Sequence, residues 1–189
     1  MSFQILSKRK KTRLSLVSGF TMIEAFVAIT VLLIAVLGPL TLLTRAINDG
    51  NYAKNQVTSS FLLQEGLDLV VAESSRLSAS SQFSSLGSVC VYVSPCRIFL
   101  ASKKTVTIDS SSDFSLYTDI NGVYSHDTSG SATKTIFTRK VWFEDVNDGV
   151  VGRFTSPTIA KKAFVETSWT TKGLTRTQQS SVIVYNSYE

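Results

Sequence analysis

Phe20-Thr21-Met22-Ile23-Glu24-Ala25-Phe26-Val27-Ala28-Ile29-Thr30-Val31-Leu32-Leu33-Ile34-Ala35-Val36-Leu37-Gly38-Pro39-Leu40-Thr41-Leu42-Leu43 is a run of 24 residues that contains one charge, Glu24. As a helix at about 1.5 Å per residue it reaches roughly 36 Å, enough to cross a hydrocarbon core of about 30 Å. Lys8, Arg9, Lys10, Lys11 and Arg13 stand just before it, with no acidic residue up to Gly19. Such a basic cluster stays on the cytoplasmic side of a membrane, which places the C-terminal body on the outer side. A secretory signal peptide would have a shorter apolar core, about 7–15 residues, closed by a small-residue cleavage site. This run is longer, and more apolar residues follow Gly38-Pro39-Leu40.

The charge balance supports the same division. The chain of 189 residues carries 19 Lys and Arg against 14 Asp and Glu. Five of the basic residues precede Gly19, so the 14 that remain balance the 14 acidic ones. The net positive charge therefore belongs to the first segment. A neutral body argues against a broad phosphate-binding surface, which needs clustered Lys and Arg, although nucleic acid as a partner stays open on sequence grounds. Cys90 and Cys96, with one distant histidine, His126, cannot close a four-ligand zinc site. Two readings remain for them, a disulfide across a short loop or two buried thiols, and an exported body favours the disulfide.

Two features distinguish the apolar run from a plain anchor. Glu24 costs on the order of 2.5–3.5 kcal/mol at a bilayer centre, and less near an interface, so it calls for a partner or a function. Gly38-Pro39 removes a helical N–H and is expected to bend or break the helix, unless it is a kink that the membrane environment tolerates. At this point the residues carry a family likeness. Ser18-Gly19-Phe20-Thr21-Met22-Ile23-Glu24-Ala25-Phe26-Val27-Ala28-Ile29 resembles the prepilin cleavage and methylation motif, G-F-T-[LM]-[IL]-E followed by apolar residues. The motif belongs to type IV pilins, minor pilins and type II secretion pseudopilins. The resemblance is strong over residues 8–45 and weak beyond.

The resemblance implies that a prepilin peptidase cuts between Gly19 and Phe20 and methylates the new Phe20 amine. It also implies that Glu24 pairs with the Phe20 amine of a neighbouring subunit. An ammonium and a carboxylate in apolar surroundings attract strongly, and each is costly if left alone. Cleavage would remove all five leader charges and let the helix pass sideways from the bilayer into a filament core.

Beyond the apolar run, residues 44–73 continue as an amphipathic helix in which Ala53, Val57 and Phe61 share a stripe. The triplet Phe61-Leu62-Leu63 spans about 200° of helix, so it is either fully buried or divided between a sheet and adjacent subunits. Residues 74–88 hold eight serines and read as a linker. From residue 89 the period changes to two. Val89–Val93, Arg97–Leu100, Lys104–Ile108, Thr135–Val146, Ala163–Thr171 and Thr175–Tyr185 read as strands, the last two joined at Lys172-Gly173-Leu174. A long helix on an antiparallel sheet is an α+β architecture, the lollipop that the resembled family shares.

Other site signals are weak. Asp145-Val146-Asn147-Asp148-Gly149 lacks the spacing of a calcium loop and reads as a turn. His126, beside Asp127 in a Ser/Gly-rich stretch, reads as a solvated loop residue, and Lys161-Lys162 as a pair on a surface turn. The sequence contains no nucleophile-elbow, P-loop or dinucleotide motif, so no catalytic residue, cofactor or metal is expected.

The expectation is a non-enzymatic subunit, itself the substrate of a peptidase. Residues 1–19 form its leader, 20–43 the transmembrane and filament-core helix, 44–73 the amphipathic continuation, 74–88 the linker and 89–189 the β-rich head. Its expected partners are the prepilin peptidase, other pilin subunits, the inner-membrane assembly machinery and, before assembly, the membrane itself. The expected location is the inner membrane, single-pass with the C-terminus outside, and then a pilus or extracytoplasmic filament. The alternative is a minor tip pilin acting as an adhesion or DNA-uptake module, which an aromatic or basic patch on the outer sheet face would favour.

Overall fold

The computed structural model describes residues 19–80, 82–101, 105–128, 131–146 and 160–186. The architecture is α+β: one long helix, α1 (Met22–Ala79), precedes a set of antiparallel strands. The chain divides into two compact units between Asp49 and Gly50.

In the first unit, Thr21 begins the helix. The Glu24 amide bonds Thr21 O at 3.0 Å and Thr21 Oγ1 at 3.4 Å, which makes Thr21 the N-cap and Glu24 the third helical residue. The helix is long and apolar enough to cross a membrane, and none of its apolar stretch is buried within the chain. Every Val, Ile, Leu, Met and Phe side chain from Phe20 to Ile47 is more than half exposed. Of the outcomes expected at Gly38 and Pro39, a break does not occur: the helix is continuous through both residues. Proline forfeits one backbone bond, while long helical runs on either side hold its neighbours in place. The Thr41 hydroxyl donates to Gly38 O at 2.7 Å and the Thr44 hydroxyl to Thr41 O at 2.9 Å.

In the second unit, the rest of α1 packs on a five-stranded sheet of order β4-β3-β5-β6-β7, where β3 is Ser115–Thr118, β4 Tyr124–Ser125, β5 Thr133–Asp145, β6 Ala160–Thr171 and β7 Leu174–Tyr185. A separate pair is formed by β1 (Arg97–Leu100) and β2 (Val106–Asp109). Lys172 and Gly173, both at positive φ, form the two-residue turn between β6 and β7.

The buried helix positions are Ser59, Leu62, Gly66, Val70, Glu73, Ser74, Leu77 and Ser78, spaced by three or four residues with adjacent pairs at Glu73-Ser74 and Leu77-Ser78. Small residues bring helix and sheet close. The hydroxyls of Ser59 and Thr167 lie 2.6 Å apart, and Gly66 leaves no room for a Cβ against Val165 and Arg139. The stripe of Ala53, Val57 and Phe61 faces outward, with Phe61 68% exposed beside the buried Leu62, so the Phe61-Leu62-Leu63 triplet is divided between two surfaces and not fully buried. Serine is what the apolar pattern missed: it is polar by composition yet small enough to sit against the sheet, with its hydroxyl returned to the helix backbone, as in Ser74 Oγ to Val71 O at 2.8 Å. For the same reason α1 runs into the expected linker as far as Ala79. The residues after it are not a linker either, since Phe83 and Leu86 belong to the core with Val70, Val141 and Val165.

Val89–Val93 is not a strand. The chain reverses within that segment: Ser94 N donates to Val91 O at 2.9 Å, and the Cα atoms of Cys90 and Cys96 come within 5.4 Å across a disulfide. Its ends still extend the sheet margin: Cys96 exchanges both backbone bonds with Val141, and Phe143 N donates to Cys90 O.

Candidate functional site

Gly19, Phe20 and Glu24 all lie at the start of the first unit and are exposed. The leader up to Ser18 lies outside the described residues. An acidic third residue suits a helix start, because the first backbone N–H groups lack intrahelical partners and the macrodipole is positive there. Thr21-Met22-Ile23-Glu24 has the T-x-x-E pattern of a capping box, of which the structure forms the threonine half: the Thr21 hydroxyl accepts from the Glu24 amide, while the Glu24 carboxylate does not reach back to the Thr21 amide. Among the described residues nothing engages that carboxylate through a hydrogen bond or ion pair. The arrangement therefore presents an exposed carboxylate one turn into a helix whose following apolar side chains are exposed.

The second unit holds the disulfide and several buried polar groups that sequence reasoning placed at the surface. His126 is buried, with Nδ1 2.9 Å from Ser115 O and its ring against Phe99. Burial and the positive charge of Arg139 push its pKa down to about 4, so the ring is neutral at pH 7. Lys161 is also buried, on β6 rather than on a turn. It donates to Leu86 O at 2.7 Å and to Ser84 O at 3.2 Å, tying the segment after α1 to the sheet, and burial lowers its pKa against the pull of Asp145. Asp145 closes β5, and Asn147-Asp148-Gly149 lie outside the described residues. Arg139 is fully buried and donates to Leu62 O, Ile98 O and Glu65 Oε2, bridging α1, β1 and β5. These side chains hold elements together; among the described residues no group of three or more His, Cys, Asp or Glu comes together.

The sheet face opposite the helix carries aromatic rings. Val141 and Val165 point to the core with Val70, so their neighbours Trp142 and Phe164, paired across β5 and β6, lie on the other face. Their rings stack with centroids 5.3 Å apart, Tyr92 of the disulfide loop meets Trp142 edge-on, and Lys162 Nζ lies 4.8 Å from the Phe164 centroid. Trp142 is buried by this packing, while Tyr92 and Val93 are 73% and 90% exposed. Comparison of this chain with protein-family models, curated proteins and solved structures gives no match.

Proposed function

We propose that this chain is a structural subunit of a type IV pilus or a type II secretion-like filament, made as a precursor, cleaved after Gly19 and N-methylated at Phe20. The observation that carries this reading is the exposed carboxylate of Glu24 at the start of a helix whose large apolar side chains from Phe20 to Ile47 are all exposed. A membrane satisfies the apolar surface but not the charge; a neighbouring subunit that brings an apolar helix and a free amine satisfies both. The outward stripe of Ala53, Val57 and Phe61 adds apolar surface for the same packing. In this reading the leader holds the precursor in the inner membrane with the second unit outside. The partners are the peptidase, other subunits and the assembly machinery. The chain performs no catalysis.

The test is the mass of the mature protein from a host that has the peptidase. The expected N-terminus is methylated Phe20; an intact Met1 terminus overturns the reading.

The second reading, a minor subunit that binds a ligand at the filament tip, has one observation in its favour, the exposed Tyr92 set edge-on to Trp142, whose ring stacks on Phe164. Aromatic residues with one ring face open are common anchors in binding. Under this reading Tyr92→Ala leaves processing and subunit level unchanged and lowers adhesion or DNA uptake severalfold. Unaltered adhesion and uptake remove the case for it.

A further inference from the structure

The two margins of the five-stranded sheet are treated differently. On one side, β5 is covered along most of its length: by β3, then by Phe114, whose carbonyl accepts from Arg139 N, then by Cys96 against Val141 and Cys90 against Phe143. The strand beyond β3 on that side, β4, has only two residues. On the other side lies β7, paired with β6 through twelve residues without a register shift. Among the described residues no strand pairs with its outer edge.

Edges of this kind are normally guarded by shortness, a bulge, proline or lysine. From Thr175 to Val184 the strand has no proline, glycine or lysine, and its one charge is Arg176. That guanidinium is drawn to the helix side, 4.5 Å from the centroid of Tyr52, and so does not guard the edge. Gln178 also turns to the helix, accepting from the Ser60 hydroxyl. Thr175, Thr177, Gln179, Ser181 and Ile183 line the other face. What is presented is a straight row of alternating N–H and C=O groups with neutral flanks, and an extended polypeptide backbone is the ligand that matches such a row.

We infer that the outer edge of β7, from Thr175 to Val184, receives an extended, uncharged strand of a different polypeptide chain as a sixth strand of the sheet. A second copy of β7 fits less well. Tyr52 lies by Arg176, Ser60 bonds Gln178, and Leu77 shares a core with Val184, so this part of α1 and β7 run in the same direction. Pairing two β7 strands in the commoner antiparallel sense would reverse one helix relative to the other. Copies inserted in one membrane in one sense do not do this. That exclusion rests on the membrane reading above; the open edge does not.

The experiment is amide hydrogen exchange on the full chain in detergent micelles, with a synthetic peptide of the sequence Thr177–Val184, blocked at both ends and therefore uncharged, as probe. The peptide has no helix and is bound by no such constraint. The β7 amides that point away from β6 exchange readily in the chain alone and slow by about tenfold or more at saturating peptide, while β6 amides do not change. The variant Gln179→Lys with Ser181→Lys, its β6 protection intact, binds the peptide at least about tenfold more weakly. Three results overturn the inference: no slowing at millimolar peptide, edge amides already protected in the dilute chain alone, or protection that grows with the concentration of the chain alone. The N-terminal mass reads the filament proposal separately, so either can fail without the other.

Discussion

His126 follows β4 and is flanked by Asp127 and a Ser/Gly-rich stretch, so composition places it in solvent, yet the fold buries it. Its surroundings decide its charge. Burial opposes protonation, Arg139 and Arg97 add repulsion, and only Ser115 O and the more distant Asp109 favour the cation. The folded pKa of about 4 lies below the ordinary 6.5, so between these values the unfolded chain binds the proton more strongly. The stabilising contribution is complete above pH 6.5 and is lost as pH falls toward 4, by about 3 kcal/mol at most. Trp142 and Trp169, the only two tryptophans, both lie in the second unit and report its unfolding. Between pH 7 and pH 4.5, urea unfolding of the wild type should lose roughly 2 kcal/mol more than that of His126→Gln. Parallel pH curves for the two proteins would sink this account.

Gly66 shows how the helix and the sheet determine each other. An alanine Cβ there would lie 2.8 Å from Val165 Cγ1 and 3.1 Å from Arg139 Cδ, and neither neighbour is at a loose surface. Alanine gains up to about 1 kcal/mol of helix propensity over glycine, while overpacking costs roughly 1–3 kcal/mol. Gly66→Ala should therefore destabilise the second unit by on the order of 1 kcal/mol, whereas Gly50→Ala, with nothing within 4 Å of its Cβ, should leave it unchanged or slightly more stable. Equal tryptophan-monitored unfolding curves for the two variants would refute the close approach. The same contact marks the limit of pattern reading. Strands β5, β6 and β7 alternate over twelve or thirteen residues, and their existence was legible from Phe137, Val141 and Val165. The docking face of α1 was not, because Ser59, Gly66, Ser74 and Ser78 carry no apolar signal and Phe61 carries a false one. Strands β3 and β4, four and two residues long among serines and aspartates, are too short for a period to register. At the N-terminus the motif itself is legible, and the same four residues carry the N-cap signal of Thr21 beside the charge on Glu24.

For the whole molecule, the question is why a carboxylate stands at the head of an apolar helix. Two physical roles are open to Glu24, and they predict different outcomes. As a helix-start residue beside Thr21, Glu24 complements the exposed amides of the first turn, worth about 0.3–1 kcal/mol at an exposed site. Glutamine at that position still accepts and donates hydrogen bonds, so Glu24→Gln would cost the helix little. As the acceptor for the Phe20 amine of a preceding subunit, the same residue acts only between copies, in surroundings where an unpaired ammonium is far more costly than a surface charge. The filament proposal therefore expects Glu24→Gln to insert into the membrane at wild-type level and to be cut after Gly19, five residues upstream. The second unit should unfold at the same urea concentration, since Glu24 lies outside it. The loss should appear only in assembly, as a drop of about tenfold or more in the subunit recovered from sheared filaments, relative to the membrane pool. Normal recovery at normal membrane levels would leave Glu24 with its electrostatic role at the helix start alone and would remove register-setting from this chain. A Glu24→Asp variant separates charge from reach: it keeps the carboxylate but withdraws it by one methylene, and partial recovery would place the missing contact at the length of a direct ion pair.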